Sequence, residues 1–172
     1  MDTKTFRRKI CIVGAGLTGS LLSIILARKG FEIDLYEKRP DVRKNPVSGN
    51  RTIAMSLSVR GIRGLERAGL SDKIVQNTLP KHSRVVHKSD GSFTVQQYGK
   101  NGDTINTINR SELNSQLLNE AERTGNVNFY PNTRCNITDA DNGLITVINE
   151  ISTESFTKEY RWIIGADGIF QI

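Results

Sequence analysis

The sequence predicts an α/β fold in which helices cover a parallel sheet and a small antiparallel β element is added to it. Short apolar runs rich in β-branched residues alternate with segments whose apolar residues recur at helical spacing. Glycines cluster where the first of these strands passes into the first helix, and polar turn residues separate later pairs of strands. The length of 172 residues suits one domain or part of a larger one.

The first elements predict a βαβ unit. Residues 9–13 (KICIV) form a short apolar run typical of a buried strand, and the glycine-rich turn at 14–19 follows it. Residues 17–28 carry apolar side chains at helical spacing, and Gly30 is placed to cap that helix at its C-terminus. Residues 31–36 (FEIDLY) alternate as a second strand. A unit of about 30 residues in this order is Rossmann-like.

The later segments alternate between helical and strand patterns after a polar loop at 40–50. Helical spacing predicts helices at 57–68, 71–77 and 110–124. Strands are predicted at 83–87 and 93–98, joined by a turn at 89–91, and at 104–108, 126–130 and 161–164, with a hairpin over 144–151 and 156–162.

Composition excludes several classes of protein. No apolar run approaches the roughly 20 residues needed to span a bilayer, and the basic start lacks a cleavage site for secretion. The net charge is +6, the basic residues are scattered, and no group of aromatic residues forms a platform for base stacking. This favours attraction of phosphorylated cofactors over binding of nucleic acid. Cys11 and Cys135 have no CxxC pattern and no nearby histidine, so neither a metal site nor a disulfide framework is expected, and a cytoplasmic setting fits.

The glycine turn has the spacing GxGxxG (GAGLTG, 14–19) and lies between a strand and a helix. Gly14 permits the tight turn, Gly16 lets a pyrophosphate approach the backbone, and Gly19 lets helix and strand pack closely. The helix N-terminus adds free N–H groups and a positive dipole end. Glu37, 18 residues after Gly19, is placed to accept a hydrogen bond from a ribose 2′-OH. A dinucleotide without a 2′-phosphate is therefore predicted, because an acid at this position opposes a 2′-phosphate.

Two further motifs are less specific. Ser111 is a candidate cap for the helix at 110–124, and Arg110 lies at the start of that helix, where the dipole disfavours a cation. This misfit indicates an anionic partner such as a pyrophosphate, although an exposed arginine would look the same. The segment GADG at 165–168 follows a hydrophobic strand, and taken alone such a segment is as often a plain turn as a ligand-binding site.

These three motifs, in this order, resemble the class A flavoprotein monooxygenases, the aromatic hydroxylases. Within that family the sequence is most similar to the kynurenine 3-monooxygenase subfamily. The similarity covers nearly all of residues 9–168 and is carried by FEIDLYEKRPDVR, NRTIAMSLSVRGIRGLERAGL, LPKHSRVVHKSDG, QQYG and INRSELNSQLLNEAE.

The resemblance implies an FAD site. The pyrophosphate would be held by the glycine turn, Gly14, Gly16, Leu17, Thr18 and Gly19, and the adenosine ribose by Glu37 with Lys38 and Arg39 beside it. Arg51 and Ser56 would border the flavin, and Arg110 would contact FAD. The backbone of Cys135 would lie by the adenine, and Asp167 of the DG motif would serve FAD and NADPH.

The resemblance also implies the chemistry of the parent enzyme. NADPH and O₂ would be consumed to convert L-kynurenine to 3-hydroxykynurenine, a step of the kynurenine pathway of tryptophan catabolism and NAD biosynthesis. Arg84 and Tyr98 match the pair that grips the substrate, and an arginine with a phenol suits an α-carboxylate. Because the cofactor carries the chemistry, no residue is assigned a catalytic role. His82 and His87 would point to opposite faces of a strand, which argues against a metal site.

The sequence departs from the family at three places. Asn50 replaces a glycine, His82 replaces an arginine, and the ending GIFQI (168–172) does not continue the family pattern. Residues 1–172 are thus expected to be an N-terminal FAD-binding portion without the substrate domain and C-terminal segments, inactive unless these are supplied in cis or by a complementing chain. A non-catalytic remnant or nucleotide-binding interaction domain is the alternative. A NAD-dependent dehydrogenase fragment is disfavoured by Arg110 and the DG motif.

Overall fold

The computed structural model describes residues 9–44, 54–98 and 104–168, and the chain divides into two compact units. The first unit contains the described residues up to 44 and from 114 onward, and the second contains those from 54 to 113. Within the described residues the elements are β1 (Lys9–Val13), α1 (Leu17–Ala27), β2 (Glu32–Tyr36), β3 (Ala54–Leu57), α2 (Val59–Arg67), α3 (Ser71–Val75), β4 (Leu79–Lys81), β5 (Ser83–His87), β6 (Phe93–Gln97), β7 (Ile105–Asn109), α4 (Arg110–Arg123), β8 (Val127–Tyr130), β9 (Thr133–Asp139), β10 (Leu144–Asn149), β11 (Ser155–Glu159) and β12 (Trp162–Gly165).

The first unit is built on a parallel sheet with strand order β12-β1-β2-β8. Helix α1 connects β1 to β2 and packs on the sheet, so the predicted βαβ unit is confirmed. Strand β2 is buried on both faces from Ile33 to Tyr36, and the alternation expected for residues 31–36 is therefore wrong. The reason is its position, because a central strand of a parallel sheet is covered on both sides.

The second layer of this unit is an antiparallel sheet with strand order β11-β10-β9. It packs on the face of the parallel sheet that bears Cys11 and Tyr36. Because side chains alternate along β1, Ile10 and Ile12 point to the opposite face. The core between the two sheets contains Cys11, Tyr36, Ile145, Val147 and Tyr160. The predicted hairpin over 144–151 and 156–162 is the β10–β11 pair of this layer.

The second unit contains a three-stranded antiparallel sheet with order β3-β7-β4 and a separate two-stranded hairpin, β5–β6. The hairpin register pairs Arg84 with Gln96 and His87 with Phe93, as the predicted turn at 89–91 requires. Among the described residues of the second unit, the buried apolar side chains are Leu57, Leu65, Ala68, Leu70, Ile74, Ile108 and Leu113.

Three strands were not predicted, and one predicted helix start and one predicted helix cap need correction. Strand β3 ends at Leu57, and α2 begins at Val59 because the Ser58 side chain caps it by accepting from the N–H of Gly61 at 3.3 Å. Strand β4 is short and contains a proline, and β9 is largely exposed and polar, so neither has a clear pattern. Ser111 is not the cap of α4: the Oδ1 of Asn109 accepts from the N–H of Ser111 at 2.8 Å.

Candidate functional site

The glycine turn lies at the C-terminal end of β1, against the turn that follows β12. Gly14 has φ of +101°, and a Cβ there would lie 2.6 Å from the Cα of Asp167. The N–H of Gly14 donates to the carbonyl of Tyr36 at 2.7 Å, and the N–H of Ala166 donates to the carbonyl of Val13 at 2.7 Å. The GxGxxG and DG motifs, far apart in sequence, therefore form one adjoining pair of backbone turns.

The other two glycines serve different purposes. A Cβ on Gly19 would lie 1.9 Å from the carbonyl oxygen of Gly14, so α1 can approach the turn only because this position has no side chain. A Cβ on Gly16 would meet no heavy atom within 4 Å, and its φ of −72° is open to any residue. Packing thus requires glycine at position 19, whereas at position 16 glycine leaves free space beside the backbone.

The peptide groups on either side of Ala15 are held by side chains. Its N–H donates to Oε2 of Glu37 at 3.1 Å. Its carbonyl accepts from Nδ2 of Asn114 at 3.1 Å and lies 3.1 Å from Oγ of Ser20. Glu37 was predicted as a ribose ligand, whereas Asn114 and Ser20 were not singled out in the sequence.

Glu37 is buried and forms a bidentate pair with Arg39. Its Oε1 accepts from the backbone N–H of Arg39 at 3.0 Å and from Nε at 2.9 Å. Burial is the largest single influence and by itself would raise the pKa of Glu37. The hydrogen bonds from Arg39 and Ala15 together outweigh it, so the pKa lies below its ordinary value. The carboxylate is therefore ionised at neutral pH, and both of its oxygens accept hydrogen bonds.

The loop after Glu37 is fastened to the rest of the first unit by Arg43. Its guanidinium pairs with Asp41, with Nη2 2.7 Å from Oδ2, and donates to Asn119 at 3.0 Å and to Glu122. Its Cζ also lies 5.5 Å from the ring centroid of Phe129. The Arg43 hydrogen bonds lower the pKa of Asp41, against the effect of burial. This clamp fixes the loop that bears Glu37 and Arg39.

Beneath the turn, a polar network occupies the core between the two sheets. Asp34 is fully buried and accepts from the Tyr160 hydroxyl at 2.5 Å and from Nδ2 of Asn128 at 3.1 Å. The Tyr160 and Tyr36 hydroxyls are 2.7 Å apart, and Nζ of Lys158 donates to the Tyr36 hydroxyl at 2.8 Å. Burial, followed by these hydrogen bonds, raises the pKa of Tyr160, which is therefore neutral. No pattern in the sequence predicts this network, because its members come from three strands, β2, β8 and β11, and from the segment that follows β11.

The remaining predicted cofactor residues have varied surroundings. Thr18, Lys38 and Asp167 are exposed around the glycine turn, and Leu17 is half-buried in the first turn of α1. Cys135 lies on β9 and packs against the core cluster that contains Cys11, and the nearby Cys135 thiol together with burial raises the pKa of Cys11. Ser56 and Arg110 are exposed within the second unit, and in the described parts of the chain no carboxylate pairs with Arg110. Arg51 and Asn50 lie outside the described residues.

The predicted substrate pair lies on the hairpin of the second unit. Ser83 pairs with Gln97, so His82 lies opposite Tyr98, and the N–H of Tyr98 donates to the carbonyl of His82 at 2.8 Å. Arg84 faces Gln96, with Nε 2.9 Å from Oε1. Side chains two apart share a face, so Arg84 and Tyr98 are diagonal neighbours on one face. His82 lies just before β5 and His87 ends that strand, so the five-residue spacing still places them on opposite faces.

Comparison with known proteins identifies the family. The family model described as FAD binding domain matches residues 7–170. The chain belongs to the FAD binding domain family. This domain is 38% identical over 160 residues to a protein of Myxococcus xanthus named kynurenine 3-monooxygenase, covering 92% of the chain and 34% of the relative. It is 33% identical over 162 residues to a protein of the same name from Anopheles gambiae, covering 94% and 33%.

A solved structure supports the fold of this FAD binding domain. The flavin-dependent monooxygenase PieE, in complex with FAD and substrate, matches with a TM-score of 0.79 at 15% identity, covering 94% of the chain and 30% of PieE. This match confirms the predicted α/β fold. The family model confirms the predicted FAD cofactor, and NADPH is the usual co-substrate of the family. The chain spans about a third of the length of the curated relatives it matches.

The free space at Gly16 and the helix N-terminus without a side-chain cap fit a pyrophosphate. Among residues 9–44, 54–98 and 104–168, no helix has the length and apolar character needed to cross a membrane.

Proposed function

We propose that this FAD binding domain is the FAD-binding portion of a kynurenine 3-monooxygenase-like flavoprotein. The observation that carries the proposal is the run of relatives with that name, 33–38% identical over 92–95% of the chain. The parent reaction is the hydroxylation of L-kynurenine to 3-hydroxykynurenine with NADPH and O₂. FAD supplies the redox and oxygen chemistry when it is bound, and the residues of this chain bind and orient the cofactor and the substrate.

The residues around the glycine turn would hold the dinucleotide. Gly14, Gly16 and Gly19, with Leu17 and Thr18, would contact the pyrophosphate, since the turn offers free space and backbone donors. Glu37 would accept from the adenosine ribose, with Lys38 and Arg39 beside it. The remaining proposed FAD contacts are Arg51, Ser56, Arg110, Cys135 and Asp167.

The hairpin of the second unit would supply the substrate contacts. Arg84 and Tyr98 share a face, and Arg84 is exposed. The amide oxygen of Gln96 accepts from its Nε, and among residues 9–44, 54–98 and 104–168 no carboxylate pairs with it. A guanidinium that is not neutralised by a carboxylate is suited to the α-carboxylate of an amino acid such as L-kynurenine. Tyr98 would add a hydrogen bond from its hydroxyl.

We also propose that this chain alone does not hydroxylate, because it spans about a third of the relatives that carry the activity-bearing name. The remainder would be supplied in cis or by a complementing chain. The two free thiols, Cys11 and Cys135, support a reducing, cytoplasmic setting.

The experiment titrates the FAD-loaded chain with L-kynurenine and measures the affinity by isothermal calorimetry, for the unmodified chain and for Arg84→Gln. The matched control is Arg134→Gln, since Arg134 is also an exposed strand arginine whose Nε pairs across the sheet, with Glu150 at 2.6 Å. We expect Arg84→Gln to weaken binding about tenfold or more and Arg134→Gln to leave it unchanged. Equal affinity in all three chains would contradict the substrate assignment. Formation of 3-hydroxykynurenine from NADPH by the 172-residue chain would contradict the claim that it is inactive alone.

A further inference from the structure

The Ala15–Gly16 peptide bond of the glycine turn is oriented by a side chain from α4. Nδ2 of Asn114 donates to the Ala15 carbonyl at 3.1 Å. Oγ of Ser20 lies 3.1 Å from the same carbonyl and 3.3 Å from Oδ1 of Asn114. On the other side of Ala15, its N–H donates to Glu37. The carbonyl therefore has a donor of its own and a fixed direction.

A fixed carbonyl also fixes the next N–H. The peptide is planar and trans, so the Gly16 N–H points opposite to the Ala15 carbonyl. Within the described residues nothing accepts a hydrogen bond from the Gly16 N–H, and a Cβ on Gly16 would meet only open space. The hydrogen bond from Asn114 to the Ala15 carbonyl thus keeps the Gly16 N–H pointing away from α4.

Rotation of this one peptide plane would reverse the polarity of the turn. Glycine at position 16 permits such a rotation at little cost, because it tolerates backbone angles closed to other residues. A rotated peptide would present a carbonyl oxygen instead of an N–H, and a carbonyl repels an anionic phosphate. The glycine that leaves room for the pyrophosphate therefore also needs something to hold its peptide in place.

We propose that Asn114 is a positioning residue for the pyrophosphate of the dinucleotide, acting through the Ala15 carbonyl to keep the Gly16 N–H directed at the phosphate. Ser20 supports it, since a hydrogen bond from Oγ to Oδ1 orients the amide so that Nδ2 faces the carbonyl. This inference rests on the proposed binding of FAD at the glycine turn. It assigns a role to a side chain that touches neither cofactor nor substrate.

The chain offers a matched control at the other end of α1. Nδ2 of Asn126 donates to the carbonyl of Ala27 at 3.3 Å, the same type of bond from a residue 99 positions later in sequence. Asn114→Leu and Asn126→Leu each remove one amide-to-carbonyl bond of α1 or its flanking turn. They differ in that only the first bond orients the peptide beside the proposed phosphate site.

The experiment measures the affinities of FAD, ADP and adenosine for the three chains by isothermal calorimetry. For Asn114→Leu we expect about a tenfold or greater loss for FAD and ADP and less than about a threefold loss for adenosine, which lacks phosphates. Asn126→Leu should bind all three as the unmodified chain does. Equal losses for ADP and adenosine, or no loss for ADP, would overturn the proposal.

A second measurement needs no ligand. The amide resonance of Gly16 in a ¹⁵N–¹H spectrum of the free chain should shift or broaden in Asn114→Leu, because its peptide is no longer held, and should stay in place in Asn126→Leu. An unchanged Gly16 resonance in Asn114→Leu would overturn the proposal. If the unmodified chain binds neither FAD nor ADP, the proposed function fails, and this spectrum still decides whether Asn114 holds the peptide.

Discussion

Replacing Gly16 by alanine should separate cofactor binding from folding. The φ of −72° and ψ of −174° at Gly16 are accessible to alanine, and the added methyl would meet no heavy atom within 4 Å. Alanine gains about 0.4–1 kcal/mol through a less flexible unfolded chain and loses a comparable amount, about 0.5–1 kcal/mol, because it is a poorer N-cap than glycine. We expect the free energy of unfolding to change by less than about 1 kcal/mol.

FAD binding should suffer far more than stability. The methyl of Gly16→Ala would occupy the space through which a pyrophosphate approaches the backbone, so we expect at least a tenfold weaker affinity, about 1.4 kcal/mol or more. Urea denaturation and a fluorescence titration with FAD measure the two effects separately. The control is Gly61→Ala in α2, whose Cβ would make an ordinary contact of 3.6 Å with Leu57. Unchanged FAD affinity in Gly16→Ala, or loss of its fold, would refute the reasoning.

Three further predictions concern the surroundings of the turn. Gly19→Ala should destabilise the chain by about 3 kcal/mol in urea denaturation, because its Cβ would lie 1.9 Å from the carbonyl oxygen of Gly14; a change under about 1 kcal/mol would contradict this packing. Tyr160→Phe removes a hydrogen bond to the buried Asp34 and should lower the free energy of unfolding by about 2 kcal/mol in the same assay. An unchanged free energy of unfolding would mean that Asp34 does not depend on the Tyr160 hydroxyl. The lowered pKa of Glu37 means that its ionisation stabilises the fold fully above its ordinary value of 4.5, and that this contribution is lost as the pH falls through the lowered pKa. Melting temperatures between about pH 6 and 3 should therefore fall less steeply for Glu37→Gln, and parallel curves would contradict the assignment.

The parts of the fold set by local pattern could be predicted from the sequence. The βαβ unit followed from an apolar run, a glycine turn and apolar residues at helical spacing, and the β5–β6 hairpin from two strand-like runs joined by a polar turn. The role of Gly19 in close packing also followed, because GxGxxG between a strand and a helix has one geometry. The FAD cofactor was predicted from the same motif and the resemblance that it supports.

The rest depended on contacts between residues distant in sequence. Asn114 lies 99 positions from Ala15, and an asparagine on an amphipathic helix has no pattern that marks it as a partner of a turn. Asp34 sits in a strand where alternation predicted an exposed face, yet a second sheet covers it. The cap of α4 was placed on Ser111 although Asn109 supplies it, because both residue types are good caps and only the geometry distinguishes them.

The central claim is that the glycine turn of this chain holds FAD. The most direct test is the visible absorption spectrum of the purified chain, incubated with FAD and then desalted. The account predicts flavin bands that persist after desalting in the unmodified chain and that are lost in Gly16→Ala. A chain that stays colourless after incubation with FAD, or a Gly16→Ala variant that retains the bands in full, would contradict it.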